Sequence, residues 1–178
     1  MKKCISVLFV VALLFLAARP STAAEKPDIF HSSGHWQVYG DSAHYLDVGV
    51  GLFNVVNSHD SAGAGHLQLR LGPKAWFIGP TVGFLANLDG GYYGYGGIYG
   101  DFAWRSLILT PVLAAGGYED GDGKDLGGTF QFRLSLHLAY QFDNLSRLGI
   151  QIAHISNANI HDYNPGEEEI YLNYSWPF

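Results

Sequence analysis

The chain has 178 residues, 48% of them hydrophobic, 15% aromatic and 15% charged, with 10 Lys and Arg against 16 Asp and Glu. That length suits one domain, and the acidic balance (formal charge −6) lacks the basic face a nucleic-acid binder needs. A single Cys excludes a disulfide framework and a cysteine zinc site.

Residues 1–24 carry Lys2 and Lys3, then an apolar run from Cys4 to Ala18, then Ser21-Thr22-Ala23-Ala24. This is the pattern of a cleaved secretory signal, with a retained anchor as the alternative. Beyond it no apolar run reaches the roughly 20 residues that a helical membrane span requires. Residues 25–42 read as a periplasmic segment before the first strand, with His31 and His35 in a tail.

From residue 43 the pattern alternates with period two, which places successive side chains on opposite faces of a strand. Eight strands are expected, at about 43–56, 63–72, 75–88, 92–104, 106–118, 127–142, 147–157 and 168–178. The sixth is the clearest. Phe130, Phe132, Leu134, Leu136, Leu138, Tyr140 and Phe142 share one face; Gln131, Arg133, Ser135, His137, Gln141 and Asp143 share the other. Connections at Gly72-Pro73-Lys74, Trp104-Arg105-Ser106 and 143–146 are tight. Those at 57–62, 119–126 and 157–167 are longer and polar, with the short Asp89-Gly90-Gly91 as the exception. Short turns at one end, longer loops at the other and an even strand number describe an all-β, eight-stranded antiparallel transmembrane β-barrel. The competing architecture is a periplasmic β-sandwich or lipocalin-like barrel. Trp76, Phe77, Tyr92, Tyr93, Tyr95, Tyr99, Phe102 and Trp104 fall at strand ends, as interfacial girdles do. Phe178 ends the chain as the assembly signal of outer-membrane barrels does. Eight strands leave no wide pore. Arg70, Arg133, Gln68, Gln131 and Asp47 are expected inside as a paired polar network.

The last two strands carry the candidate chemistry. Leu148, Ile150 and Ile152 make a greasy outward row that closes with His154 and Ser156. Counting back from Phe178 through Trp176, Tyr174, Leu172 and Ile170 puts Glu168 outward, and Glu167 and Glu169 inward. Ser156, His154 and Glu168 can then meet on one external patch as nucleophile, base and imidazole-orienting acid. Asn157 and Asn164 could donate to an oxyanion or position substrate. Ile150, Ile152, Leu172, Leu148 and Tyr174 could hold acyl chains. A bland alternative is a strand rising into the headgroup zone, where polar residues are tolerated.

His154-x-Ser156-Asn157-Ala158, then Asn164-Pro165-Gly166 and a Glu before the last strand, resembles the PagL-type lipid A deacylases. Asp89-Gly90 before Tyr92, Gly127-Gly128 and Phe132-Arg133 add to the likeness over most of the chain after residue 24. The resemblance implies an outer-membrane barrel that removes the ester-linked 3-O-acyl chain of lipid A without a metal or other cofactor. It also implies Ser156 as nucleophile, His154 as base and Glu168 as the acid. The motif alone does not separate Glu168 from Glu167 and Glu169. The partners expected are lipid A or lipopolysaccharide, outer-membrane lipid and the barrel-assembly machinery through Phe178, with a homodimer compatible. The other functions weighed are a non-catalytic structural or adhesive barrel, an internal ligand-binding barrel and an outer-membrane phospholipase. The run 119–125 lacks the full calcium-loop pattern and reads as a polar turn. His44, His66 and His137 read as hydrogen-bonded interior residues, and His161 as a solvated loop residue.

Overall fold

The computed structural model describes residues 25–56 and 61–178. The expected signal segment and part of the first long loop lie outside the described residues. Among the described residues eleven strands form in chain order: β1 (Ile29–Ser33), β2 (Trp36–Tyr39), β3 (Tyr45–Phe53), β4 (Ala62–Arg70), β5 (Gly79–Asn87), β6 (Tyr92–Tyr99), β7 (Phe102–Trp104), β8 (Leu107–Glu119), β9 (Phe130–Gln141), β10 (Arg147–Ser156) and β11 (Glu167–Pro177). Eight of them close a barrel: β3, β4, β5, β6, β8, β9, β10 and β11 pair antiparallel in that order, and β11 returns to β3.

The pairing also fixes how the wall is sheared. From Leu148 the ladder runs through Tyr174, Val48, Leu67, Phe84, Gly94 and Gly117 to Phe130. Leu148 also pairs Tyr140 on the same β9, ten residues along the strand from Phe130. Such a stagger tilts the strands and leaves an interior that side chains fill.

The interior is packed: a buried apolar cluster, which includes Tyr93, Tyr95 and Tyr99 on inward positions rather than in a girdle, sits beside a polar network. Arg70 donates to Asp47 at 2.7 and 2.8 Å. Arg147 pairs with Asp101 at 2.9 Å, and Arg133 with Glu169 at 2.8 Å. These arginines are fully buried, as are Gln131 and Tyr45. His66 bonds Asn173 at 2.9 Å, and His66 and His137 are both buried. A buried charge persists only when paired, so the alternation that brings arginines inward also demands the carboxylates opposite them. The outward rows are apolar, as parity requires: Leu134, Leu138, Ile150, Ile152, Leu172 and Val50 are all exposed.

Beyond shifts of a few residues at strand ends, the structure departs from the sequence expectation in three places. The strand expected at 92–104 is divided into β6 and β7, although both keep one register against β8. The gap faces Pro111, which has no N–H to give the ladder; Gly100 still donates to the Pro111 carbonyl. The strand expected from residue 75 begins at Gly79. Ala75 and Ile78 exchange backbone hydrogen bonds, and Trp76 takes φ 62°, so 75–78 is a tight turn. Where a tail is expected before the barrel, β1 and β2 form a hairpin whose turn is set by Gly34 at φ 61°. β5 pairs with β6 only down to Gly79–Tyr99, which leaves the next stretch of wall, β7, with an open edge. β2 fills that edge, satisfying backbone groups that a lone edge would expose.

The ends of the barrel are thus unlike. The β1–β2 hairpin, the C-terminus, the 71–78 turn and the Phe142–Ser146 turn gather at one end. The loops after β3, β5, β8 and β10 gather at the other, where β10 and β11 bring the candidate chemistry.

Candidate active site

His154 and Glu168 are direct ladder partners on β10 and β11. Both point out of the barrel, and His154 Nδ1 lies 3.4 Å from Glu168 Oε1, with both side chains nearly half exposed. Ser156 is the last residue of β10, two positions beyond His154 and on the same face by the pleat. Across the other ladder His154 stands opposite Leu134 and Ser156 opposite Phe132. The three residues that parity groups therefore share one external patch at the loop end.

The neighbouring carboxylates belong to the interior. Glu167 accepts from the Asn54 backbone N–H at 3.0 Å. Glu169 holds Arg133 and accepts from the Tyr171 hydroxyl at 2.9 Å. Both are essentially inaccessible, which leaves Glu168 as the carboxylate that can meet an external imidazole.

Below the patch, Ile152 pairs Ile170 and Ile150 pairs Leu172, and on the far side of β11 these meet Leu52 and Val50. Ile150, Ile152 and Leu172 stand outward and exposed. An uninterrupted apolar wall thus leads up to His154 and Ser156.

The loop after Ser156 is built tightly. Ala158 and Asn159 both adopt left-handed φ, 53° and 61°. That conformation costs about 1–2 kcal/mol for a residue with a Cβ, so the surroundings must hold it. Asn157 supplies much of the hold. It is fully buried, and its Nδ2 donates to Leu126 O at 2.9 Å and Tyr163 O at 2.8 Å. Its backbone N–H donates to Asn164 Oδ1 at 3.0 Å, and Asn164 Nδ2 donates to Asn159 Oδ1 at 3.1 Å. Asn157 therefore ties the loop after β10 to the loop after β8, and Asn164 ties the 157–166 loop to itself.

Two glycines make this possible. At Gly127, φ 83°, a Cβ would fall on the Tyr163 carbonyl. At Gly166, φ 60°, a Cβ would lie 2.9 Å from His154 Cε1. Gly127 lets the two loops meet, and Gly166 leaves room for the imidazole. The role of Gly166 and the left-handed pair are not legible in the sequence, because neither Ala158 nor a single glycine announces its φ.

Among the described residues, no group of three or more His, Cys, Asp or Glu is arranged to hold a metal ion.

Residues 26–177 match the family described as lipid A 3-O-deacylase (PagL). The chain belongs to the PagL lipid A 3-O-deacylase family. Membership places it among outer-membrane enzymes that deacylate lipid A. Among solved structures, it is similar to the crystal structure of the outer membrane enzyme PagL, with a TM-score of 0.61 at 19% identity, over 75% of this chain and 99% of that one. At that identity the likeness speaks for the barrel fold. No curated protein matches the chain in sequence.

Proposed function

We propose that this PagL-family chain is an outer-membrane serine esterase, hydrolysing the ester-linked 3-O-acyl chain of lipid A with Ser156, His154 and Glu168 facing the outer leaflet. The opposition of His154 to Glu168 carries the reading. The carboxylate beside Nδ1 favours the tautomer with its proton there, which leaves Nε2 as the base. Ser156 Oγ attacks the ester carbonyl as Nε2 takes its proton. The tetrahedral oxyanion then collapses, and the imidazolium returns the proton to the departing sugar oxygen. Water, activated by the same imidazole, releases the fatty acid and restores Ser156. Glu168 stabilises the imidazolium in both halves.

Of the two asparagines, Asn164 is the better oxyanion donor. A side-chain amide carries two protons, and among the described residues Asn164 Nδ2 has one hydrogen-bond partner whereas Asn157 Nδ2 has two. Asn157 acts by positioning the backbone next to Ser156. Ile150, Ile152 and Leu172 hold acyl chains against the wall. The same reading has Phe178, exposed at the end of β11, recognised during barrel assembly, and it accommodates a homodimer.

The test is mass spectrometry of lipopolysaccharide from cells expressing the chain or its Ser156→Ala variant. Loss of one hydroxyacyl group with the former alone supports the proposal. Release of phospholipid fatty acids instead identifies a phospholipase, and unchanged lipids from the unsubstituted chain identify a non-catalytic barrel.

A further inference from the structure

We propose that the β1–β2 hairpin is a lipid-binding fin, seated in the headgroup region of the phospholipid leaflet at the terminal end of the barrel. The inference rests on the barrel's membrane placement and concerns a surface remote from the triad.

Register decides which face of the hairpin looks outward. Leu107 and Leu109 belong to the outward row of β8, and they pair with Trp104 and Phe102 of β7. Trp104 and Phe102 pair in turn with Trp36 and Val38 of β2. The lipid-facing row thus continues, without a step, from the barrel wall onto the hairpin. The opposite face is already occupied: Tyr39, Ala103 and Ile108 form a buried cluster there.

The outward face has the composition of a membrane interface. Phe30, Phe77 and Phe102 touch in sequence, with ring centroids 5.5 and 6.2 Å apart. Trp36 is 56% exposed. Arg105 places its guanidinium 5.3 Å from the Trp104 ring and lies 3.3 Å from His35 Nε2. An apolar ring body capped by a cation suits the boundary between acyl chain and headgroup.

The free edge of β1 argues against a strand from a second protein. Its register shifts between Ile29 and His31, and such a bulge blunts an edge for pairing. Asp28 and Gly40 close the base of the hairpin with their own backbone bonds. The uncovered face carries the exposed rings of Phe30, Trp36 and Trp104, and a lipid surface covers such a face.

Trp36 reports the outcome directly. The protein carrying Trp76→Phe, Trp104→Phe and Trp176→Phe keeps Trp36 alone and is reconstituted in phosphatidylcholine vesicles containing phospholipid brominated near the headgroup or near the chain end. A companion protein keeps only Trp176, on the outward row of β11, and reads whether the barrel itself is inserted. The proposal expects blue-shifted Trp36 emission, quenched more by the shallow bromines than by the deep ones. With Trp176 quenched, two results overturn it. Trp36 emission quenched by aqueous acrylamide but not by lipid places the hairpin in water. Emission protected from both places it against protein. Loss of Trp176 quenching would instead overturn the membrane placement on which the fin depends.

Discussion

His154 and Glu168 face each other across the β10–β11 ladder, with Nδ1 and Oε1 3.4 Å apart, while Glu167 and Glu169 on either side turn inward. Three consecutive carboxylates thus divide between two environments, and the division yields opposite expectations for their replacement.

Glu168→Gln is expected to lower kcat by roughly 10²–10⁴-fold with the barrel's stability unchanged, as loss of an imidazole-orienting carboxylate does. Glu169→Gln is expected to behave the other way. It leaves Arg133 buried without its charge partner, which costs about 3–5 kcal/mol. Urea unfolding and acyl-release assays on the two proteins measure both quantities. Equal kinetic losses with equal stabilities would refute the division.

On the proposed triad, Ser156→Ala and His154→Ala are each expected to reduce acyl release by on the order of 10³-fold or more, and the double variant by little beyond that, because members of such a triad act as a unit. Both should retain the heat-modifiable gel migration of a closed barrel. The comparison is made by mass spectrometry at matched amounts of folded protein.

Gly166→Ala tests the space beside the imidazole. The left-handed φ adds about 1–2 kcal/mol of strain, and the new methyl meets His154 Cε1. The expected result is a fall in kcat with KM nearly unchanged, since the apolar wall below is untouched. Steady-state kinetics on a soluble short-chain ester separates the two parameters.

Asn157→Ala removes the hydrogen bond to Leu126 O, which joins the loops after β8 and β10, and the one to Tyr163 O, which closes the loop after β10 on itself. Two hydrogen bonds of about 1 kcal/mol each are lost, and two carbonyls lose a partner. Faster amide exchange in residues 120–129 and 157–166, with a lower kcat, is the expected outcome. Asn157→Asp should not rescue it, because a carboxylate cannot donate. Rescue by Asp would mean that the acceptor oxygen, not the amide, matters.

The barrel was legible in the sequence because side-chain parity is strictly local. Alternation from Phe130 to Phe142 suffices to assign the faces of β9, and counting back from Phe178 suffices to separate Glu168 from its neighbours. What escaped depends on residues far apart in the chain. The β1–β2 hairpin exists because β5 stops at Gly79 and leaves β7 an edge, and nothing within residues 29–39 announces that vacancy. The break at Gly100 is set by Pro111 across the ladder. The inward position of Asn157 depends on Leu126, 31 residues earlier.

The arginine-filled interior has a kinetic consequence. On the proposed reaction the patch opens onto the bilayer while described side chains fill the interior, so glycolipid reaches it and leaves it sideways along the sheet of neighbouring molecules. Encounter rates then follow surface density instead of bulk concentration. Diluting the substrate with inert amphiphile at a fixed total amount should slow turnover as effectively as removing substrate.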